Sequence, residues 1–431
     1  MAANALQNIY AELDWRGSVH QTTDPESLQT LLAEGPQTVY AGFDPTSDGL
    51  HIGNFVPLMM LRRFQKAGHC PIVLAGGATG MIGDPSGKSE ERNLLSADQI
   101  EHNLQGIMDE LAQFLDFESA RPAILVNNYD WMKEWDYLTF LRDVGKHFPV
   151  NQMLAKESVK ARLDQSDAGM SYTEFSYMLL QAYDFVHLRN AYGCTLQVGG
   201  SDQWGNITAG IELGRRMGAG TLHGLTCPLL TKSDGTKMGK TERGAIWLSA
   251  EKTSPYAFYQ YWFNTDDADV DNCLRLLTEL AEDEIGVLNE DRQTNPQNRQ
   301  SQQRLAESLT LLVHGQQGLD SARRASEVLF GAAISEMSDS DLTEIFADVP
   351  SEKLSRDTLT GEGLSIVDAL CKAGLAKSKS DARRTVDQGG AYVNNARVES
   401  LDYRLGPDDL ASETVVVLRS GKKRYALLKF L

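Results

Sequence analysis

The stretch YAGFDPTSDGLHIGN, Tyr40 to Asn54, decides how the rest of the chain is read. Thr38, Val39 and Tyr40 lead through Gly42 to Phe43 as a β-prone run, Asp44-Pro45 is a turn-forming pair, and His51-Ile52-Gly53 opens an apolar run. A strand, a tight loop and a helix start therefore follow one another. The N-terminus of a helix presents unpaired N–H groups and partial positive charge, so a small-residue loop emptying into one suits an anion such as phosphate. On these residues alone His51 reads equally well as a polar loop residue, with Gly53 only relieving crowding.

Outward from this stretch, residues 38 to 230 alternate short β-like runs with helical patterns, as a parallel α/β sheet does. PIVLAGG (Pro71–Gly77), AILVNN (Ala123–Asn128) and TLQVGG (Thr195–Gly200) each end in small or amide residues. Ligands gather beyond the carboxyl ends of such strands. From Ser254 to about Phe330 the chain turns helical and polar, with Leu274, Leu277, Leu280, Leu305, Leu309 and Leu312 spaced for an amphipathic face. Residues 331–363 are acidic and rich in Ser and Thr and read as a linker with one short helix. From Leu364 two short amphipathic helices, a Gly-Gly turn and a strand with an Asn-Asn turn form a last module.

With 431 residues, 42% hydrophobic and 23% charged, the composition is that of a globular enzyme of two to four domains. No run approaches the length that spans a bilayer, and the first twenty residues do not read as a secretory signal. Five scattered cysteines without a Cys-x-x-Cys pair argue against zinc or a disulfide framework and fit a reducing compartment, so the cytoplasm is expected. The formal charge of −18 is unevenly spread. Residues 364–431 hold twelve Lys/Arg against eight Asp/Glu, a net of +4, which leaves −22 on the body. Nucleic acid, if bound, must meet defined basic surfaces.

A second signal lies in LTKSDGTKMGKTERGA, Leu230 to Ala245, where Lys237 and Lys240 stand three apart among glycines and hydroxyls. Alone, a lysine pair in a polar loop is a solvated turn. Paired with His-Ile-Gly-Asn nearly two hundred residues earlier, it resembles the two signatures of the class I aminoacyl-tRNA synthetases, usually His-Ile-Gly-His and Lys-Met-Ser-Lys-Ser. GGATGMIGDPSGKSEER, NNYDW, FLRDVGKHFPVNQML, SYTEFSYMLLQAYDF and QVGGSDQWGNITAG are similar, in order and spacing, to the bacterial tyrosyl branch of that family. The last module resembles the small RNA-binding domain of the same enzymes.

The resemblance implies a Rossmann-like catalytic domain over residues 1–250, an α-helical anticodon-side domain over 251–330, the linker 331–363 and an α+β RNA-binding domain over 364–431. It implies a ligase that activates L-tyrosine with ATP and passes it to tRNA(Tyr), as a homodimer, with Mg2+ accompanying ATP and no dedicated metal site. Thr46 and His51 then contact the triphosphate, Lys237, Lys240 and Thr241 close over it, and Lys88 and Arg92 add charge at the entrance. Gly42, Asp44, Gly53, Asn54, Gly200, Asp202 and Lys240 belong to the ATP site. Tyr177, Gln181 and Asp84 take the tyrosine ammonium, Gln203 its carboxylate end, and Asp184 with Tyr40 the phenol hydroxyl, with Asn128 in the same network. Tyr177, Gln181 and Asp184 are also spaced for one helix face. Two residues depart from the usual pattern. Asn54 replaces the second histidine, and Ala41 stands where some members carry a cysteine near the ribose, so one ribose contact is expected to be missing. A silent RNA-binding relative, a tryptophanyl enzyme and a small-molecule nucleotidyltransferase are the competing readings; Tyr40 with Asp184 and the basic module favour tyrosine.

Overall fold

The computed structural model describes residues 9–86, 96–156, 159–160, 163, 169–241, 244–329, 334, 337–347, 349–421 and 424–431. They form two compact units, one of residues up to Ser254 together with Tyr261–Leu309, the other of Pro255–Gln260 with Thr310–Leu431.

The first unit is built on a six-stranded sheet of β1 (Gln21–Thr22), β2 (Thr38–Phe43), β3 (Cys70–Ala75), β4 (Ile124–Asn127), β5 (Leu196–Gly200) and β6 (His223–Cys227). The strand order is β1-β6-β5-β2-β3-β4, and every neighbour pair is parallel except β1 with β6. β3 is buried along most of its length, which explains why it reads as a continuous apolar run rather than an alternating one. Local chemistry sets the helix ends. Asp24 accepts from Ser27 N–H with Pro25 in the first turn, and Ser171 caps Tyr172–Tyr192, which stops at Gly193 in the left-handed region (φ 67°).

One helix end is satisfied in a less local way. Helix Val270–Leu277 points its last carbonyls at two buried arginines from elsewhere in the chain. Arg63 Nη2 donates to Arg275 O, Leu276 O and Thr278 O at 3.3, 2.8 and 3.0 Å. Arg16 donates to Arg275 O, Thr278 O and Leu280 O, and its Nε to Glu12 at 2.6 Å. Two cations at the negative end of the helix satisfy acceptors that would otherwise be buried without donors. Because Arg63 sits on helix Phe55–Lys66, this ties the helical region to the element that follows the His51 segment.

The second unit centres on a five-stranded sheet in the order Ala396–Arg397, Ala391–Val393, Val415–Ser420, Arg424–Phe430 and Ser351–Leu354, the last pair parallel. Asn394 and Asn395 both take positive φ (48° and 65°), as the two-residue hairpin between its first two strands requires. Its two long strands are apolar on both faces. Val416, Leu418, Ala426, Leu428 and Phe430 pack with helices Ile366–Lys372 and Lys379–Asp387. Val415, Val417, Tyr425 and Leu427 face the other way, onto Ala325, Val328, Leu342, Ile345 and Phe346. The stretch expected as a linker thus contributes helix Asp339–Ile345 and strand Ser351–Leu354 to this unit. The physical reason is the run Val415–Leu418: a strand apolar on both sides needs a cover on both, and the module from Leu364 onward supplies only one. Leu342 is fully buried in that second layer. Leu342→Ala is expected to cost about 2–4 kcal/mol in urea unfolding, with faster hydrogen exchange in Val415–Ser420; a change within about 0.5 kcal/mol would mark it as a linker residue.

Candidate active site

The chain passes through β3 and β4 before returning to place β5 on the other side of β2, and the succession of strands reverses at that point. In such sheets the crevice for a ligand opens beyond the carboxyl ends of the two diverging strands. A cleft of about 370 Å³ occupies it, lined by Tyr40–Asp44 from β2 and its loop, by Gln197–Gly200 from β5, and by both signature segments.

At its mouth the His51 segment is a short 3-10 turn, Ile52–Asn54, leading into helix Phe55–Lys66. His51 Nδ1 accepts Gly53 N–H at 3.0 Å, so the neutral ring carries its proton on Nε2 and acts as a donor. Asn54 Oδ1 accepts His51 N–H at 3.2 Å, and what this residue can offer a ligand is its NH2 group. A Cβ at Gly53 would lie 2.8 Å from His51 Cε1, so this glycine, expected to give a ligand room, makes room for the imidazole. Thr46, Gly42, Gly53, Asn54, Gly200, Asp202, Lys237 and Lys240 all line the cleft. A side chain at Gly200 would run into Asp202 Oδ1, 2.7 Å away.

The two signature segments are physically joined. Ile52 N–H donates to Ile246 O at 3.0 Å and Leu248 N–H to Leu50 O at 2.9 Å, flanking an antiparallel bridge between His51 and Trp247. The loop Asp44–Leu50 is held from outside by Lys252, which bonds Asp48 and lies 4.4 Å over the Trp247 ring, and by Glu110, which accepts Leu50 N–H.

The closed end of the cleft is built around Asp184, 1% exposed, which accepts from Asn128 Nδ2 at 3.0 Å and from Trp131 Nε1 at 2.9 Å. The Trp131 indole is set by stacking on His187, with ring centroids 4.2 Å apart. Asn128 also accepts Ala78 N–H and donates to Thr79 Oγ1. It therefore stands behind the cleft as a holder of Asp184. Burial pushes the Asp184 carboxyl up to about 8 against these two hydrogen bonds, with the Asp44 charge adding to the rise. Tyr40, 1% exposed, meets Phe185 edge to face at 5.2 Å and has a buried hydroxyl with no partner among the described residues. Burial and the nearby Asp184 charge raise that phenol well above its ordinary value, so it stays a neutral donor.

Further along, Asp84 accepts from Gln203 Nε2 at 2.7 Å, from Ser86 N–H and from Asn206 Nδ2. Gln181 donates to Gln203 Oε1 at 3.3 Å while its own buried Oε1 has no partner among the described residues. Tyr177 donates to Asp44 Oδ2 at 2.9 Å and Thr79 to Asp44 Oδ1 at 2.8 Å. Asp44, expected at the ATP site, is thus also a strut that takes the Tyr177 proton and leaves the hydroxyl oxygen able to accept. Tyr177, Gln181 and Asp84 form an acceptor cluster suited to an ammonium group.

Not every expected residue lines the cleft. Thr241 donates to Gly244 O at 3.0 Å within the two-residue ribbon Lys240–Thr241 with Gly244–Ala245, which fits a turn-closing part. Lys88 and Arg92 lie outside the described residues. Two further residues of the site have no role in the sequence pattern: Gln197, which lines the cleft from β5 in register with Tyr40, and Trp131. A glutamine inside an apolar parallel strand was the available signal for the first. The second stood in NNYDW without a role.

Comparison with known proteins agrees with this geometry. The model of the tRNA synthetases class I (W and Y) family matches residues 32–331, and that of the tyrosine–tRNA ligase SYY-like C-terminal domain matches 341–428. The tyrosine–tRNA ligase of Rhodopirellula baltica is 59% identical over 427 residues, 99% of this chain and 97% of that protein, and that of Roseiflexus castenholzii 51% identical over 99% and 100%. A C-terminally truncated mitochondrial tyrosyl-tRNA synthetase from Aspergillus nidulans superposes with a TM-score of 0.67 at 30% identity, covering 76% of this chain and 98% of that one. The fold and the paired signatures define a class I aminoacyl-tRNA synthetase. Within that class, matched along nearly its whole length, the chain belongs to the bacterial-type tyrosine–tRNA ligase family.

The raised Asp184 carboxyl has a measurable consequence. Its unfolded form ionises near the ordinary aspartate value of 3.8 while the folded form keeps its proton to about 8. The folded state therefore binds the extra proton between these limits, and its stability falls as pH rises through that window, by up to about 1.4 kcal/mol per pH unit. Relative to Asp184→Asn, the wild-type chain should lose stability from about pH 4 to about pH 8 and hold a constant difference above. A difference independent of pH would show that Asp184 is already ionised in the empty pocket.

Proposed function

We propose that the chain activates L-tyrosine with ATP to tyrosyl-adenylate and pyrophosphate and then transfers tyrosine to the 3′ end of tRNA(Tyr). The observation that carries this is the partnerless Tyr40 hydroxyl beside Asp184 at the closed end of a cleft whose mouth holds His51, Lys237 and Lys240. A para-hydroxyl on an aromatic guest would satisfy both groups. The ammonium falls to Tyr177, Gln181 and Asp84, and the carboxylate points toward the mouth.

The carboxylate oxygen attacks the α-phosphorus, forming the acyl–phosphate bond as the bond to the β-phosphate oxygen breaks and pyrophosphate leaves. That nucleophile is already ionised at neutral pH, so no general base is required. The work left is alignment and stabilisation of charge developing on the phosphates. His51 Nε2–H, Thr46, the Asn54 amide and the two lysine ammonium groups are the donors for it, and Mg2+ travels with ATP. The second unit, with exposed basic residues such as Lys377, Arg383 and Arg397, provides the surface for tRNA phosphates. Five free thiols fit a cytoplasmic setting.

The first unit also carries an exposed apolar face, with Tyr137, Leu138, Val150 and Tyr172 all more than half exposed and the Tyr137 and Tyr172 hydroxyls 3.5 Å apart. A second copy of the chain covers it in this reading, as the homodimer expected from the sequence.

Amino-acid-dependent exchange of pyrophosphate into ATP, run across the twenty amino acids without tRNA, should proceed with tyrosine; exchange with tryptophan alone would sink the proposal. Tyr40→Phe removes one of two hydroxyl readers, so kcat/KM for tyrosine should drop by about 0.5–1.5 kcal/mol while the value for phenylalanine holds. An equal fall for both would mean Tyr40 does not read the hydroxyl. Leu138→Glu should shift the chain from dimer to monomer in analytical ultracentrifugation, and an unchanged sedimentation coefficient would place the partner face elsewhere.

A further inference from the structure

Between the two lysines of the Lys237–Lys240 segment lie two residues that point the other way. Lys237 and Lys240 are exposed and line the cleft, whereas Met238 and Gly239 are buried. Three fixings hold the buried side of this loop. Met238 Sδ rests 3.7 Å from Cys273 Sγ, Ser233 N–H donates to Asp269 Oδ1 at 2.7 Å, and Gly239 N–H donates to the Tyr261 hydroxyl at 2.8 Å. Gly239 is also where the loop meets the other signature. Its carbonyl accepts Ile246 N–H at 2.9 Å, its φ is +88°, and a Cβ there would lie 2.5 Å from Ile52 Cγ1. No side chain other than hydrogen fits, and Gly239 can offer no hydroxyl or amide of its own to secure the loop. Its N–H, aimed at Tyr261 from a buried position, is the one polar handle it has on that side.

We propose that the Tyr261 hydroxyl is a positioning group for adenylate formation: by accepting Gly239 N–H it holds the Lys237–Lys240 segment in the pose that sets both ammonium groups at the mouth of the cleft. It acts through the loop and touches no substrate. Without it, the Gly239 N–H is buried and unpaired in the docked pose but hydrated once the loop lifts away, so the equilibrium shifts toward the lifted pose. Because the lysines act on charge that develops as pyrophosphate departs, the loss falls on the chemical step more than on tyrosine binding. The inference rests on the reading of these lysines as phosphate-facing groups.

The test is Tyr261→Phe in the full chain, alone and combined with Lys240→Ala, in pyrophosphate exchange. Tyr261→Phe should lower kcat roughly three- to tenfold with KM for tyrosine unchanged, and should add a smaller factor in the Lys240→Ala background, where the pose it secures has only Lys237 left to present. A kcat within twofold of wild type, a parallel loss of tyrosine affinity, or the full tenfold loss repeated on top of Lys240→Ala would each overturn the assignment. Lys240→Ala alone separates the two levels. If it leaves exchange intact the phosphate-facing reading fails and this inference with it; if it is severe while Tyr261→Phe is silent, only the inference about Tyr261 fails.

Discussion

Two hydrogen bonds join Leu50–Ile52 to Ile246–Leu248, segments nearly two hundred residues apart in the chain, and the mouth of the cleft depends on that junction. Closing so long a loop costs only slightly more entropy than closing a short one, since the penalty grows with the logarithm of length. The larger constraint is geometric. The N–H groups of the His51 turn are already bonded within the protein, so the turn must present the imidazole Nε2–H and the Asn54 NH2 to the cleft, and the Lys237–Lys240 segment must reach the same mouth. The bridge at His51 and Trp247 fixes the distance between the two, and the hydrogen-only space at Gly239 lets them approach. The Lys252–Asp48 contact, the Glu110 acceptor at Leu50 and the Tyr261 contact all brace this junction from outside.

Inside the cleft the same economy appears in reverse. Buried polar atoms normally have partners, and each one without costs stability. Among the described residues the Tyr40 hydroxyl, Gln181 Oε1 and Gln197 Oε1 have none. In the proposed reading the first faces the hydroxyl end of the amino acid and the second its ammonium end. A guest lacking the hydroxyl leaves part of this cost in place. In that reading selectivity is a property of the unpaired group itself, and the neutral, proton-bearing form of Asp184 lowers the cost of burying a carboxyl beside it.

How much of this was legible in the sequence depends on the range over which each feature is determined. The small and amide residues that close the strands near Ala75, Asn127 and Gly200, and the Asn394-Asn395 turn, are local, and they can be read directly. The tyrosine pocket came from helix spacing and resemblance together, since Tyr177, Gln181 and Asp184 share a face. What escaped is what depends on distant partners. Asp44 was assigned to ATP, and only the fold brings Tyr177 and Thr79 to its two oxygens. Nothing in an acidic, Ser- and Thr-rich stretch shows that Leu342 and Ile345 cover the second face of strands seventy residues later. At Gly53 the sequence shows only a small residue at a helix start, and the demand of His51 for that space appears in the fold.

The buried pair Arg16 and Arg63 bears on where this protein can be divided. Reading connectivity alone, a catalytic fragment would end near residue 250, after the last strand of the sheet region. Such a cut removes the carbonyls of Arg275, Leu276, Thr278 and Leu280, and of the two guanidinium groups only that of Arg16 keeps a bonded carboxylate, Glu12. A stranded buried cation is far more damaging than a lost surface contact. The smallest piece able to stand alone is thus defined by where the peptide oxygens that solvate these arginines lie, and it runs past Leu280 into the helices that continue to Leu309.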